Sequence, residues 1–147
     1  MKYDVTDETV IKSSPSTVFN AVIDVYDGKN NWWMPSVSSK LGQGNSSKKP
    51  GSLYKVTIHG KPPVAFVTKT VEIKPNEMIR LHYIKGAYKG EGLWEFKQID
   101  DKTKVTFRWR TSPNTLLLKI IAPFFPIAKT HSAVMQKGFK NLKKLLE

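Results

Sequence analysis

From Gly51 to Thr111 the sequence reads as strand, turn, strand with almost no helical periodicity, and it then closes on one long amphipathic helix running to Glu147. No other feature constrains the fold as much. Strands joined by short turns pair as an antiparallel sheet, and a lone apolar helix face that follows them must bury itself against that sheet. A sheet curved around one helix does not always fill its interior with side chains, and such interiors are where small molecules bind. The expectation is an α+β fold in which a curved antiparallel sheet surrounds a long C-terminal helix, built as one domain over residues 1–147.

The alternation that supports this is specific. Tyr3 to Lys12 is rich in β-branched residues (Val5, Thr6, Thr9, Val10, Ile11) and predicts a first strand that Ser13-Ser14-Pro15-Ser16 ends. Ser14 or Ser16 can cap a short helix with Val18, Phe19, Val22 and Ile23 on one face, broken or restarted between Asp24 and Asn31. Trp32-Trp33-Met34-Pro35 follows, then a strand from Val37 to Leu41 and a turn-rich loop from Gly42 to Gly51. Tyr54, Val56 and Ile58 alternate with Lys55, Thr57 and His59. Another strand is predicted from Val64 to Ile73, with a hairpin turn at Lys74-Pro75-Asn76-Glu77. Ile79, Leu81 and Tyr83 then share one parity, as do Tyr88, Trp94 and Phe96 with Gly90 and Gly92, and Val105, Phe107 and Trp109. In the final helix Ala128, His131, Met135, Gly138, Leu142 and Leu145 fall on one face, with Lys137, Lys140, Lys143 and Lys144 opposite.

Composition removes several function classes. The chain has no cysteine, which excludes disulfide frameworks, thiolate zinc sites, iron–sulfur clusters and cysteine nucleophiles. His59, His82 and His131 lie in separate elements without paired spacing, so neither a metal nor a cofactor is expected. Met1 to Val5 lacks the apolar run of a signal peptide, and no stretch approaches the ~20 apolar residues that span a bilayer, so a soluble cytoplasmic protein is expected. A formal charge of +12 suits an anionic partner. Only Arg80, Arg108 and Arg110 are arginines, however, and the lysine excess points away from base and phosphate recognition. Nucleic acid is therefore not expected, while peripheral contact with an anionic membrane or protein stays open.

Three stretches carry a resemblance to a known family: Ser14-Pro15-Ser16-Thr17-Val18-Phe19, Trp32-Trp33, and Gly90-Glu91-Gly92-Leu93-Trp94. Together with the order of elements they resemble the START-like helix-grip (SRPBCC, Bet v 1-like) superfamily, nearest its polyketide cyclase/dehydrase-like subgroup. The resemblance covers nearly the whole chain and rests on scaffold positions. It implies a cavity more firmly than a reaction, since members include lipid carriers, hormone receptors and ring cyclases.

Inward parity and this resemblance together nominate Trp33, Tyr54, Tyr83, Trp94, Phe107, Trp109, His131 and Met135 as ligand-binding residues. The implied ligand is a hydrophobic small molecule such as a lipid, polyketide or aromatic metabolite. A cyclase- or dehydratase-like enzyme is the alternative, with His131 and a tyrosine as acid and base; it needs a hydrogen-bonded partner for His131 facing the cavity. His131 as a core histidine is the plainer reading. Glu91 alternates onto the solvent face with Lys89, Glu95 and Lys97, and Arg108 and Arg110 likewise alternate outward and suit cross-strand ion pairs with Glu95 or with Asp and Glu on neighbouring strands. The Gly42–Gly51 loop, with no helix after it, fits no phosphate-binding motif and is expected to be a mobile hairpin at the cavity mouth. Leu116 to Ile127 is strongly apolar and broken by Pro123 and Pro126. It can cap the sheet opening, serve as a membrane-facing gate, or join a monomer into a homodimer.

Overall fold

The computed structural model describes residues 2–147. The chain runs β1 (Tyr3–Ile11), α1 (Pro15–Asp27), β2 (Val37–Leu41), β3 (Leu53–Ile58), β4 (Val64–Lys74), β5 (Met78–Gly86), β6 (Tyr88–Ile99) and β7 (Lys102–Pro113). It ends with α2 (Leu116–Ile121), one 3-10 turn (Ala122–Phe124) and α3 (Ile127–Leu146). The seven strands form one antiparallel sheet in the order β1-β7-β6-β5-β4-β3-β2. This is a helix-grip fold: a curled sheet with the C-terminal helix packed against it.

Local chemistry sets the element ends. The Ser14 hydroxyl accepts the Thr17 N–H at 3.2 Å, Pro15 opens α1, and Gly28 closes it in the left-handed conformation (φ 81°). The helix therefore runs unbroken past Asp24 to Asp27, where the sequence suggested a break. Its register carries Val18, Val22 and Tyr26 onto one buried face. Register shifts in β4, between Val67 and Thr68 and between Thr70 and Glu72, bend the sheet.

The outer face of the sheet is solvated and paired. Arg108 holds Asp4 with two bonds of 2.9 and 2.8 Å, Arg110 reaches Glu91 at 3.3 Å, and Arg80 reaches Glu72 at 3.4 Å. The cross-strand pairing expected of Arg108 and Arg110 is thus present, with Asp4 and Glu91 as the acceptors in place of Glu95. On the inner face Trp94 is fully buried, its indole N–H donating to the Tyr26 hydroxyl at 3.0 Å, with Trp33, Phe96, Phe107 and Phe139 around it.

Close approach decides where α3 sits. A Cβ at Gly138 would lie 2.6 Å from Trp33 Nε1 and 3.3 Å from the Trp32 ring, so the helix backbone rests directly on the stacked Trp32–Trp33 pair. Met135, Gly138, Phe139 and Leu142 form the buried face. Leu145, expected on that face, is exposed, and Leu146 packs inward in its place. Gly90 is a second required glycine: φ is 133°, and a Cβ would collide with the Arg110 carbonyl of β7.

Gly138→Ala should lower stability by about 1–3 kcal/mol, because overpacking against two fixed indoles outweighs the ~1 kcal/mol helix preference of Ala. Thermal unfolding checks this; a Tm equal to or above wild type would mean that the tryptophan pair yields and does not seat the helix.

Candidate functional site

Between the inner sheet face and α3 lies a cavity of about 40 Å³. Its walls are largely aromatic. Phe66 and Tyr88 meet edge to face, and Tyr83 tilts against Phe66. Phe107 and Trp109 come from β7, and α3 supplies His131, Val134 and Met135. Six of the residues nominated from sequence, Trp33, Tyr83, Phe107, Trp109, His131 and Met135, lie in this lining.

Tyr54 and Trp94 do not lie in the lining. The Tyr54 hydroxyl donates to Asp27 Oδ1 at 3.0 Å, which ties β3 to the end of α1 and holds the phenol away from the cavity. Trp94 fills the core beside it, against Phe107 and Trp33. Inward parity places a side chain on the right face of a strand but does not separate core from cavity wall. Conversely, sequence reasoning passed over Tyr26 and Thr68. The first was lost with the early end given to α1, although its i+4 relation to Val22 was readable. Thr68 shares the buried parity of Phe66 and Thr70 on β4.

The Gly42–Gly51 loop is not at the cavity. Its Ser47 hydroxyl donates to Asp27 Oδ2 at 2.5 Å, Asn45 accepts the Leu53 N–H at 3.1 Å, and Ser52 bonds back to Ser46 and Lys49. A polar latch therefore anchors it at the far end of α1, in place of the mobile rim expected.

Three buried polar atoms of lining residues have no protein partner, one of them Trp33 Nε1, which faces Gly138. Thr68 Oγ1 and His131 Nδ1 are both buried and make no hydrogen bond. The His131 ring stacks on Trp109 with centroids 4.0 Å apart and planes at 8°. Asp7 Oδ2 lies 3.8 Å from Nδ1, beyond hydrogen-bond reach, and instead accepts from Ser132 Oγ at 3.1 Å. The oriented partner that acid–base work by His131 calls for is therefore near but not joined to it. Burial raises the phenol of Tyr88 to about 12 and pushes that of Tyr83 up as well, so both are neutral hydrogen-bonding groups. Among the described residues no three His, Cys, Asp or Glu side chains gather in a way that could hold a metal ion.

Burial pushes the His131 imidazole down to about 4. An unfolded imidazole titrates near 6.5, so below that pH the unfolded chain takes up a proton that the folded chain resists. This stabilisation is complete above about pH 6.5 and declines as the pH falls toward about 4. Urea unfolding at pH 7 and pH 5 should show wild type losing on the order of 2 kcal/mol more than His131→Gln; equal losses would refute a neutral buried imidazole.

Solved structures share this fold at low identity. TTHA0849 from Thermus thermophilus matches with a TM-score of 0.77 at 15% identity, covering 97% of this chain and 95% of that one. A START superfamily protein from Mycobacterium smegmatis gives 0.73 at 14% identity, over 97% and 96%. The Aha1 dimer from Colwellia psychrerythraea gives 0.67 at 18% identity, over 99% and 96%. No curated protein matches the sequence. The family described as polyketide cyclase/dehydrase and lipid transport matches residues 2–147, and this chain belongs to that family.

Proposed function

We propose that this is a cytoplasmic protein that binds a hydrophobic small molecule between the sheet and α3. The observation that carries the reading is the aromatic cavity itself, whose lining residues include three with a buried polar atom that the protein leaves unpartnered, Trp33, Thr68 and His131. Leaving such groups unpaired costs about 1–3 kcal/mol each, a cost that a ligand carrying a hydroxyl or carbonyl would offset. The family description, which includes lipid transport, supports the same reading.

Size sets a condition on binding. At about 40 Å³ the cavity holds little more than one water-sized molecule. A lipid, polyketide or aromatic metabolite enters only if lining side chains change rotamer or α3 and the crossover before it shift outward. Trp33, Tyr83, Phe107, Trp109, His131 and Met135 are the residues proposed to contact it; Tyr54 and Trp94 would support the wall from behind.

Thr68→Met tests this, because it fills the space and removes the orphan hydroxyl together. Binding of the neutral dye N-phenylnaphthylamine, followed by energy transfer from the tryptophans, should weaken by about tenfold or more. Thermal stability should hold or rise. Dye binding unchanged in the variant, or absent in wild type, would sink the cavity as the binding site.

A further inference from the structure

The crossover from β7 to α3 leaves its apolar side chains outside. Leu116, Leu117 and Ile120 of α2, and Phe124 and Phe125 beyond it, are all exposed, Phe124 by 83% and Leu116 by 76%. Leu118, Ala122 and Ile127 of this stretch turn toward the protein. The capping role expected of the segment is therefore filled by its minor face, and its major face has no partner within the described residues.

Hydrogen bonds fix this crossover beside a second connection. The Asn114 N–H donates to the Ala87 carbonyl at 2.8 Å and its side-chain amide to the Gly86 carbonyl at 3.1 Å, while the Ala87 N–H donates to the Ala65 carbonyl at 3.3 Å. One end of the sheet thus collects the β3–β4 loop, the β5–β6 turn and the crossover. Residues 53–71, 78–90 and 102–146 contain no Asp or Glu, and the carboxylates nearest that end, Asp4 and Glu91, are ion-paired with Arg108 and Arg110. Lys61, Lys85, Lys89, Lys119 and Lys129 are exposed there, and none forms an ion pair among the described residues. The other acidic residues are Asp7 and Glu8 of β1, Asp24 and Asp27 of α1, Glu72 of β4, Glu77, Glu95 of β6, Asp100, Asp101 and Glu147.

We propose that this end of the molecule docks on an anionic lipid bilayer, with the α2 and phenylalanine side chains entering the headgroup boundary and the lysines meeting the lipid charge. Charge decides between occupants. A second copy presenting the same face would set lysine against lysine. An acidic protein partner would need directional hydrogen bonds, yet from Leu116 to Ile127 the only polar side chain is Lys119. Non-directional apolar insertion rimmed by lysine is what a bilayer surface accepts. The surface also lies at the cavity end of the sheet, because Phe66 and Tyr88, both in the lining, directly follow Ala65 and Ala87.

Vesicle co-sedimentation tests it. Binding to phosphatidylcholine vesicles with about 30% phosphatidylserine should exceed binding to phosphatidylcholine alone by about tenfold, and should fall between about 0.1 and 0.5 M salt. The double variant Phe124→Ser, Phe125→Ser should bind roughly tenfold less. Its circular dichroism should match wild type, since both side chains are already solvent-exposed. No vesicle binding, equal binding to both compositions, or an unaffected double variant would overturn the proposal. So would a sedimenting dimer that the double variant dissociates, or equally tight binding to polyglutamate. Thr68→Met should bind vesicles as wild type does, which separates failure of this surface from failure of the cavity.

Discussion

The backbone of α3 lies on the indole of Trp33, and the interior takes its dimensions from that contact. With only a hydrogen at position 138, the helix comes close enough for Met135, Phe139 and Leu142 to reach the sheet's aromatic layer. A wider separation would open the space that the fold can enclose. A closer one is blocked by the Trp32–Trp33 stack, whose rings lie 5.1 Å apart, with Trp32 held by its bond to the Ala21 carbonyl at 2.9 Å. The cavity is small because this spacing is short and the residues across it are tyrosine, phenylalanine and tryptophan.

The two ends of the sheet differ in their chemistry. At one end Asp27, its side chain only 1% exposed, accepts hydrogen bonds from Tyr54 and Ser47 and has Lys29 at 3.8 Å. A buried carboxylate so satisfied joins α1, β3 and the loop after β2, and breaking one partner would leave a charge stranded. The other end is held mainly by backbone hydrogen bonds around Ala65, Ala87 and Asn114, with little side-chain chemistry. Rigidity is thus concentrated away from the cavity, leaving the end beside it with fewer bonds to break when its contents change.

The strand pattern was legible because period-two alternation reports a half-buried sheet directly. Tyr54, Val56, Ile79, Leu81, Phe107 and Trp109 all face inward as their parity required. The apolar face of α3 was legible as far as Leu142 for the same reason. What escaped was long-range geometry. Parity cannot tell Trp94, packed solid, from Tyr83, which borders space, since the difference lies in what stands opposite. The polar latch at Asp27 joins residues 20 and 27 positions apart through side chains that read locally as loop and helix end. The crossover was read as a cap, a membrane-facing gate or a dimer contact, because pattern alone does not say which side of a six-residue helix has anything to pack against.

The pairing of β1 with β7 has a consequence for how the chain folds. Asp4 and Arg108 meet across 104 positions, and among the described residues β1 has β7 as its one sheet neighbour. Until about residue 113 has left the ribosome, β1 has no ladder to join and its apolar face has no α3 to cover it. Contacts of such high sequence separation slow folding because the loop must close before anything rewards it. The hairpins from β3 to β6 are local and can form first. The sheet would then be completed from its middle outward, with β1 among the last strands to be placed.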